Sequence, residues 1–305
     1  MATYPPPPPG LSGDLLTIHR LLQSPAQIQR RLRTIQDLRF ISDQILTQRY
    51  RSSGGAVLYE VSEPIFTTRP IEAVPAGAEY PKDVTPEGAA ALAAVTKWGQ
   101  ATQLTDEKIK RNARPGNELD RVLRKVVNTV IKHIDTITMS AVASAVTQTQ
   151  AASAAWNSTA TILRDVELAI AKVEDLQMGY RPNIIVMSNT KYAYMASDEK
   201  LASLRRRETT DNPVYNGSVD ILADLIVVKA PLSVLPSDDV WVIDSMQLGG
   251  MADEAEVDPG YTVDELAVQV QSERLPRRDM WEVWGRRITV PVVQEPGSGI
   301  KITGT

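Results

Sequence analysis

The chain has 305 residues, 43% hydrophobic and 23% charged, enough to bury one or two substantial cores, which excludes disorder of the whole. Its 33 Lys and Arg against 37 Asp and Glu give a net charge of −4, which does not suit a protein that coats nucleic acid by neutralising phosphates. There is no Cys and there are only two His, His19 and His133, so disulfides, thiolate nucleophiles and Cys- or His-rich metal centres are excluded as well.

The start, MATYPPPPPG, has neither a basic region nor an apolar stretch, which predicts a chain made in a cytoplasm without a secretory signal. Pro5 to Pro9 favour polyproline II and cannot join a core. From Gln27 onward Ile28, Leu32, Ile35, Leu38, Ile41 and Ile45 recur every three or four residues, the pattern of an amphipathic helix. Seven Arg against three Asp over residues 1–51 make this region locally basic, +4. Two readings stay open: a helix lying on its own domain, or an arm that reaches a neighbouring subunit.

Residues 52–103 read as extended. Ser53-Gly54-Gly55 ends the helix, Val57, Tyr59 and Val61 alternate with other residues, and a strand-like pattern returns from Leu92 to Leu104. Between them Pro75, Gly77, Pro81 and Pro86 build an elaborate tip. Two strands alone bury too little to be stable in water, so this long hairpin needs cover that its own chain does not obviously supply.

After Pro115-Gly116, apolar residues from Leu119 through Val130 and Ile134 to Ala141 keep helical spacing, predicting a helix to about Val146, roughly 45 Å long. Thr136 to Leu163 is uncharged over 28 residues, but 13 of them are Ser, Thr, Gln or Asn, which argues against a membrane span. From Thr159 to Leu248 helix and strand alternate in a self-contained α/β unit: a helix from Leu163 to Leu176, a strand over 183–187, a helix from Lys191 to Arg205, then strands at Leu225 to Val228 and Val240 to Ile243. Residues 251–305 return to β pattern, and Gly297-Ser298-Gly299 reads as a frayed tail.

No GxxxxGK[ST] and no strand–GxGxxG–helix is present, and neither His stands in a triad-like setting. Glu254, Glu256, Asp258, Gly260 and Glu265 imitate a calcium loop, but Pro259 occupies the sixth position, where such a loop needs Gly. From Ser245 to Glu273 there are seven acidic residues and no Lys or Arg, and Arg274, Arg277, Arg278, Arg286 and Arg287 follow. Opposed charge blocks of this kind form solvated faces or meet a copy of the same chain.

The order of arm, long hairpin, long helix, inserted α/β unit and return strands resembles the Hong Kong 97-type major capsid protein of tailed bacteriophages. The residues carrying the likeness are Pro75-Ala-Gly-Ala-Glu-Tyr-Pro-Lys82 at the tip, Val95-Thr-Lys-Trp-Gly-Gln-Ala-Thr102 on the return strand, and the helix from Glu118. Also similar are the Pro182-Asn-Ile-Ile-Val-Met187 strand with the following helix, and the Arg274 to Val293 strands. The resemblance implies an α+β fold in four parts. These are an N-terminal arm (1–52), an E-loop (53–103), a peripheral domain with a spine helix (104–153 and 251–305) and an axial domain (154–250). It further implies a structural protein without cofactor or metal that forms hexamers and pentamers around double-stranded DNA in a virion. Assembly would take place in the host cytoplasm with a separate scaffold, a portal and a possible cement protein, and without a membrane.

Contacts between subunits are expected at Ile28, Leu32 and Ile35 of the arm and at Glu79, Tyr80, Lys82 and Asp83 of the tip, with Arg274, Arg277 and Arg278 as partners for Glu79 and Asp83. Some members of the family lock the shell by an isopeptide bond, for which Lys82 offers an amine. The last Asn is Asn216, however, and none lies near Asp279 and Met280 where the acceptor would be, so non-covalent clasping is expected. An encapsulin-type compartment and an enzyme using the α/β unit are the competing readings.

Overall fold

The computed structural model describes residues 40–83, 86–111, 115–157, 161–198, 201, 221–254, 259–263 and 268–305. In chain order the elements begin with a single helical turn α1 (Ser42–Ile45), β1 (Gln48–Ser52), β2 (Ala56–Val61), β3 (Ala89–Ala94), β4 (Thr96–Thr105), α2 (Asp106–Arg111) and the long helix α3 (Pro115–Ala145). Then come β5 (Thr149–Ala151), α4 (Ile162–Glu174), β6 (Ile184–Ser188), α5 (Asn189–Ser197), β7 (Ile221–Leu222), β8 (Leu225–Ala230) and β9 (Val240–Ile243). The chain closes with β10 (Gly249–Glu254), β11 (Thr262–Val263), β12 (Gln269–Leu275), β13 (Met280–Val293) and β14 (Gly299–Thr303).

Two six-stranded sheets organise the molecule. The peripheral sheet runs β1-β10-β13-β12-β11, with β4 along the other edge of β13 over ten residues, from Met280↔Thr105 to Thr289↔Thr96. Helix α3, 31 residues and about 46 Å long, packs against β13 and β4. Gly285 permits the approach, since a Cβ there would stand 3.3 Å from Val126 Cγ1. The axial sheet runs β5-β14-β9-β6-β8-β7. One of its faces joins α3 in a core containing Ile134, Met139, Val142, Val186 and Trp241. The other face packs on α4 and α5 through Val166, Val173, Ile185, Met187 and Met195.

The expected α+β architecture, the long helix and the strand Val240–Ile243 are all observed. Four boundaries differ from expectation. Within the described residues the N-terminal helix is only the turn Ser42–Ile45, followed by strand β1, which pairs in parallel with β10. Phe40, Ile45 and Leu46 are buried in this chain's own core, so residues 40–52 belong to the peripheral unit. The return strand of the hairpin breaks at Val95: β3 stays with β2, whereas β4, including Trp98, lies in the peripheral sheet.

The expected tail is an interior strand. Ile300 and Ile302 of β14 are fully buried between β5 and β9. Both β5 and β14 therefore join the axial sheet, although residues 104–153 and 251–305 were expected to be peripheral. The helix expected over Lys191 to Arg205 is observed as Asn189–Ser197 and ends at Asp198, whose backbone is extended; residues 199–200 and 202–220 lie outside the described set.

Buried charges fix how the chain enters. Asp135 of α3 accepts the Ser42 N–H at 2.9 Å and the Ile41 N–H at 3.2 Å, capping α1 from another element. Arg287 of β13 is fully buried, bonded to Asp253 through Nε at 3.0 Å and Nη2 at 3.2 Å, with Asp43 at 3.5 Å. Arg49 completes the network, 2.7 Å from Asp43 and 3.5 Å from Asp253. Each carboxylate faces two cations, which offsets the cost of desolvating Arg287.

Candidate assembly surface

The β2–β3 hairpin stands on two strands only, in the register Ala56↔Ala94, Leu58↔Leu92 and Glu60↔Ala90. Strand alternation puts Val57, Tyr59 and Val61 on one face, where they are half-buried, and Leu58 and Leu92 together on the other. Leu58 is 73% and Leu92 69% exposed. Beyond the strands Ile65, Phe66, Ile71 and Tyr80 also lie exposed, with Ile71 wholly so. Large apolar side chains exposed on one element have the character of a contact surface. Strand β3 is five alanines and one leucine, a composition poor in β-propensity, so side chains of its own do little to stabilise it.

The tip's charges are used within the tip. Asp83 accepts the Thr68 hydroxyl at 3.0 Å and the Arg69 N–H at 2.9 Å, closing the loop across fourteen residues of sequence. Arg69 pairs with Glu72 at 3.0 Å and Lys82 with Glu79 at 2.5 Å. Tyr80 points outward, 79% exposed.

Arg274 is likewise engaged in its own chain. Its two terminal nitrogens reach Asp106 at 2.6 Å each, and the guanidinium lies over the Trp281 ring. Hydrogen bonding to Asp106 raises its pKa above the ordinary arginine value. Arg277 and Arg278 sit exposed on the short 3-10 turn between β12 and β13, with no ion pair found for either among the described residues. The geometry thus leaves Tyr80, Arg277 and Arg278 presented outward, whereas Asp83, Glu79 and Arg274 are committed within the chain. Ile28, Leu32 and Ile35 lie outside the described residues.

What sequence reasoning missed is the exposure of the large apolar residues Leu58, Ile65, Phe66, Ile71 and Leu92. Its signal was present: large apolar residues on a two-stranded element, which two strands alone cannot bury on both faces.

His133 is exposed on α3, edge-on to Trp98 with ring centroids 4.7 Å apart. Among the described residues no group of three or more His, Asp or Glu is placed to hold a metal ion. No helix among them is long and apolar enough to cross a membrane.

Comparison with known proteins gives a consistent picture. The family model described as phage capsid protein matches residues 89–302. No curated protein sequence matches the chain. A structure from Microbacterium phage Oxtober96 is 12% identical with a TM-score of 0.59, covering 86% of this chain and 90% of that one. The capsid structure of cyanophage P-SCSP1u is 11% identical with a TM-score of 0.59, covering 84% and 85%. The holo-SrpI encapsulin complex from Synechococcus elongatus is 9% identical, also with a TM-score of 0.59, covering 86% of each chain.

Proposed function

The chain belongs to the phage capsid protein family, and from that premise we propose that its copies assemble as hexamers and pentamers into an icosahedral head enclosing double-stranded DNA. The fold is of the Hong Kong 97 type, and the protein is a structural shell component of a virion. The proposal adds the manner of assembly and the contents.

One observation carries it: the hairpin's outward face, Leu58 with Leu92, has no partner among the described residues of its own chain. Burying each side chain on a neighbour stabilises a contact by roughly 1.5–3 kcal/mol, and the same contact recurs at every subunit. Charge is arranged to assist. Residues 53–88 carry six acidic side chains and two basic ones, with Glu60, Glu63 and Glu87 exposed, and the exposed Arg277 and Arg278 are the proposed partners on an adjacent copy. Such pairs are individually weak, so they set orientation more than strength. The arm's stripe Ile28, Leu32 and Ile35 is a second proposed contact, and a separate scaffold and a portal complete the head, with a cement protein as an optional addition. The likeness to an encapsulin supports a compartment shell as the alternative.

Sedimentation of the full-length protein, followed by electron microscopy, tests the reading. Wild type is expected as closed particles and Leu58→Asp with Leu92→Asp as folded, unassembled subunits. Particles of wild-type yield from the double variant would refute the hairpin contact. Nuclease-resistant DNA inside particles from infected cells distinguishes a phage head from a compartment.

A further inference from the structure

Residues 294–298 carry the chain from the end of β13 in the peripheral sheet to β14 in the axial sheet, and strand β1, the hairpin base and the axial unit all bond to this crossover. Tyr50 Oη on β1 donates to Gln294 Oε1 at 2.7 Å. At the base of the hairpin, the Ser62 N–H donates to the Gln294 carbonyl at 2.9 Å and the Glu63 N–H to Glu295 Oε1 at 3.2 Å. The second carboxylate oxygen, Glu295 Oε2, accepts the hydroxyl of Tyr180 at 2.7 Å. Tyr180 is buried in the axial unit, four residues before β6. One side chain therefore touches the hairpin with one oxygen and the axial unit with the other.

The surroundings are shaped for this bridge. Ser62 takes a left-handed backbone conformation, φ +54°, which is unfavourable for a residue with a Cβ and here accompanies consecutive N–H bonds from Ser62 and Glu63 to the crossover. At Gly297 a Cβ would stand 3.3 Å from Tyr180 Cε2, so glycine allows the ring to lie close against the chain. Burial, and then the hydrogen bond to Glu295, raise the Tyr180 phenol well above its ordinary pKa, so it stays a donor. The charged and titratable groups around the bridge are Tyr180 and Asp244 from the axial unit and Glu63 from the hairpin, and Glu295 has no Lys or Arg within ion-pair distance among the described residues.

We propose that Glu295 is a positioning residue that couples the hairpin's take-off angle to the axial unit through Tyr180. Holding a glutamate in one rotamer costs side-chain entropy, and the two hydrogen bonds share that cost. Without the Tyr180 bond, the bond to Glu63 must carry the whole cost alone, and the hairpin base opens more often. The coupling lies within one subunit and does not depend on what the shell encloses.

Hydrogen exchange on the full-length protein, with all variants in one assembly state, tests the coupling. Tyr180→Phe removes a single hydroxyl and touches nothing in the hairpin. It is expected to speed exchange of the Ser62 and Glu63 amides about tenfold while leaving the β9 amides at their wild-type rate. Glu295→Ala should do at least as much, and the double variant no more than Glu295→Ala alone. Glu295→Gln, which preserves shape but has one acceptor oxygen for two donors, should also speed exchange. Wild-type exchange at Glu63 in Tyr180→Phe or in Glu295→Gln, or an additive double variant, would overturn the coupling.

Discussion

Deleting residues 1–39 and deleting residues 1–52 should have opposite outcomes for the isolated subunit. The shorter deletion removes none of the buried core found in the described residues. The longer one removes Phe40, Ile45 and Leu46, all buried, and strips β1 from β10 along five residue pairs. At about 2 kcal/mol for each of three large side chains the burial loss alone is about 6 kcal/mol, comparable with the whole stability of a typical domain, roughly 5–15 kcal/mol. The longer deletion also leaves Arg287 without Asp43 and Asp135 without the two N–H groups it caps. Urea and thermal melts followed by tryptophan fluorescence provide the assay. The 1–39 deletion should melt cooperatively near the full-length protein, with any defect confined to assembly. The 1–52 deletion should melt at least 10 °C lower, on a scale of about 2–4 °C per kcal/mol for a chain of this size, or fail to fold. A 1–52 deletion that melted with the full-length protein would refute the assignment of residues 40–52 to the peripheral core.

Gly250→Ala should destabilise the subunit by about 2 kcal/mol or more and free β1, because the new Cβ would stand 2.3 Å from the Gln48 carbonyl oxygen, a backbone atom with little room to yield; a melt within 0.5 kcal/mol of wild type contradicts this. Burial raises the Asp135 carboxyl above the ordinary range, although the Ser42 and Ile41 N–H groups oppose the shift. The folded state then binds the proton more tightly than the unfolded one, so this group's contribution falls as pH rises from about 4, the unfolded value, through the raised folded value. The stability of wild type relative to Asp135→Asn should therefore decline over that window, and a difference that rises with pH would reverse the sign. Asp83→Ala, which removes the acceptor for Thr68 and Arg69, should loosen the tip in hydrogen exchange without shifting the subunit's melting temperature; a large melting shift would mean that the tip is part of the core.

Much of this architecture is legible in the residues, for reasons that can be located. The apolar stripe of α3 repeats at helical spacing from Leu119 to Ala141, about six turns, and Val240-Trp241-Val242-Ile243 is an uninterrupted apolar run of strand length, so local pattern and tertiary burial agree. The failures occur where the partner is distant. Strand β1, Gln48-Arg49-Tyr50-Arg51-Ser52, has no apolar alternation, and what makes it a strand is pairing with β10, two hundred residues later. Ile300 and Ile302 do alternate, but Gly297-Ser298-Gly299 and a position near the end of the sequence disguise a strand that sits inside the axial sheet. At the tip, the residue types pointed to charge, yet the Asp83–Thr68 contact exists only once the loop has folded back on itself. The bridge at Glu295 joins Glu63, Tyr180 and β13 across most of the chain, and no spacing rule brings such residues together.

The central claim is that this chain is a shell subunit completed by its neighbours, and an electron cryomicroscopy reconstruction of the particles formed by the full-length protein tests it most directly. The account predicts a closed icosahedral shell of hexamers and pentamers in which Leu58 and Leu92 of each subunit lie against an adjacent copy. A protein that remained monomeric under all assembly conditions, or a shell in which those two side chains faced solvent, would contradict it.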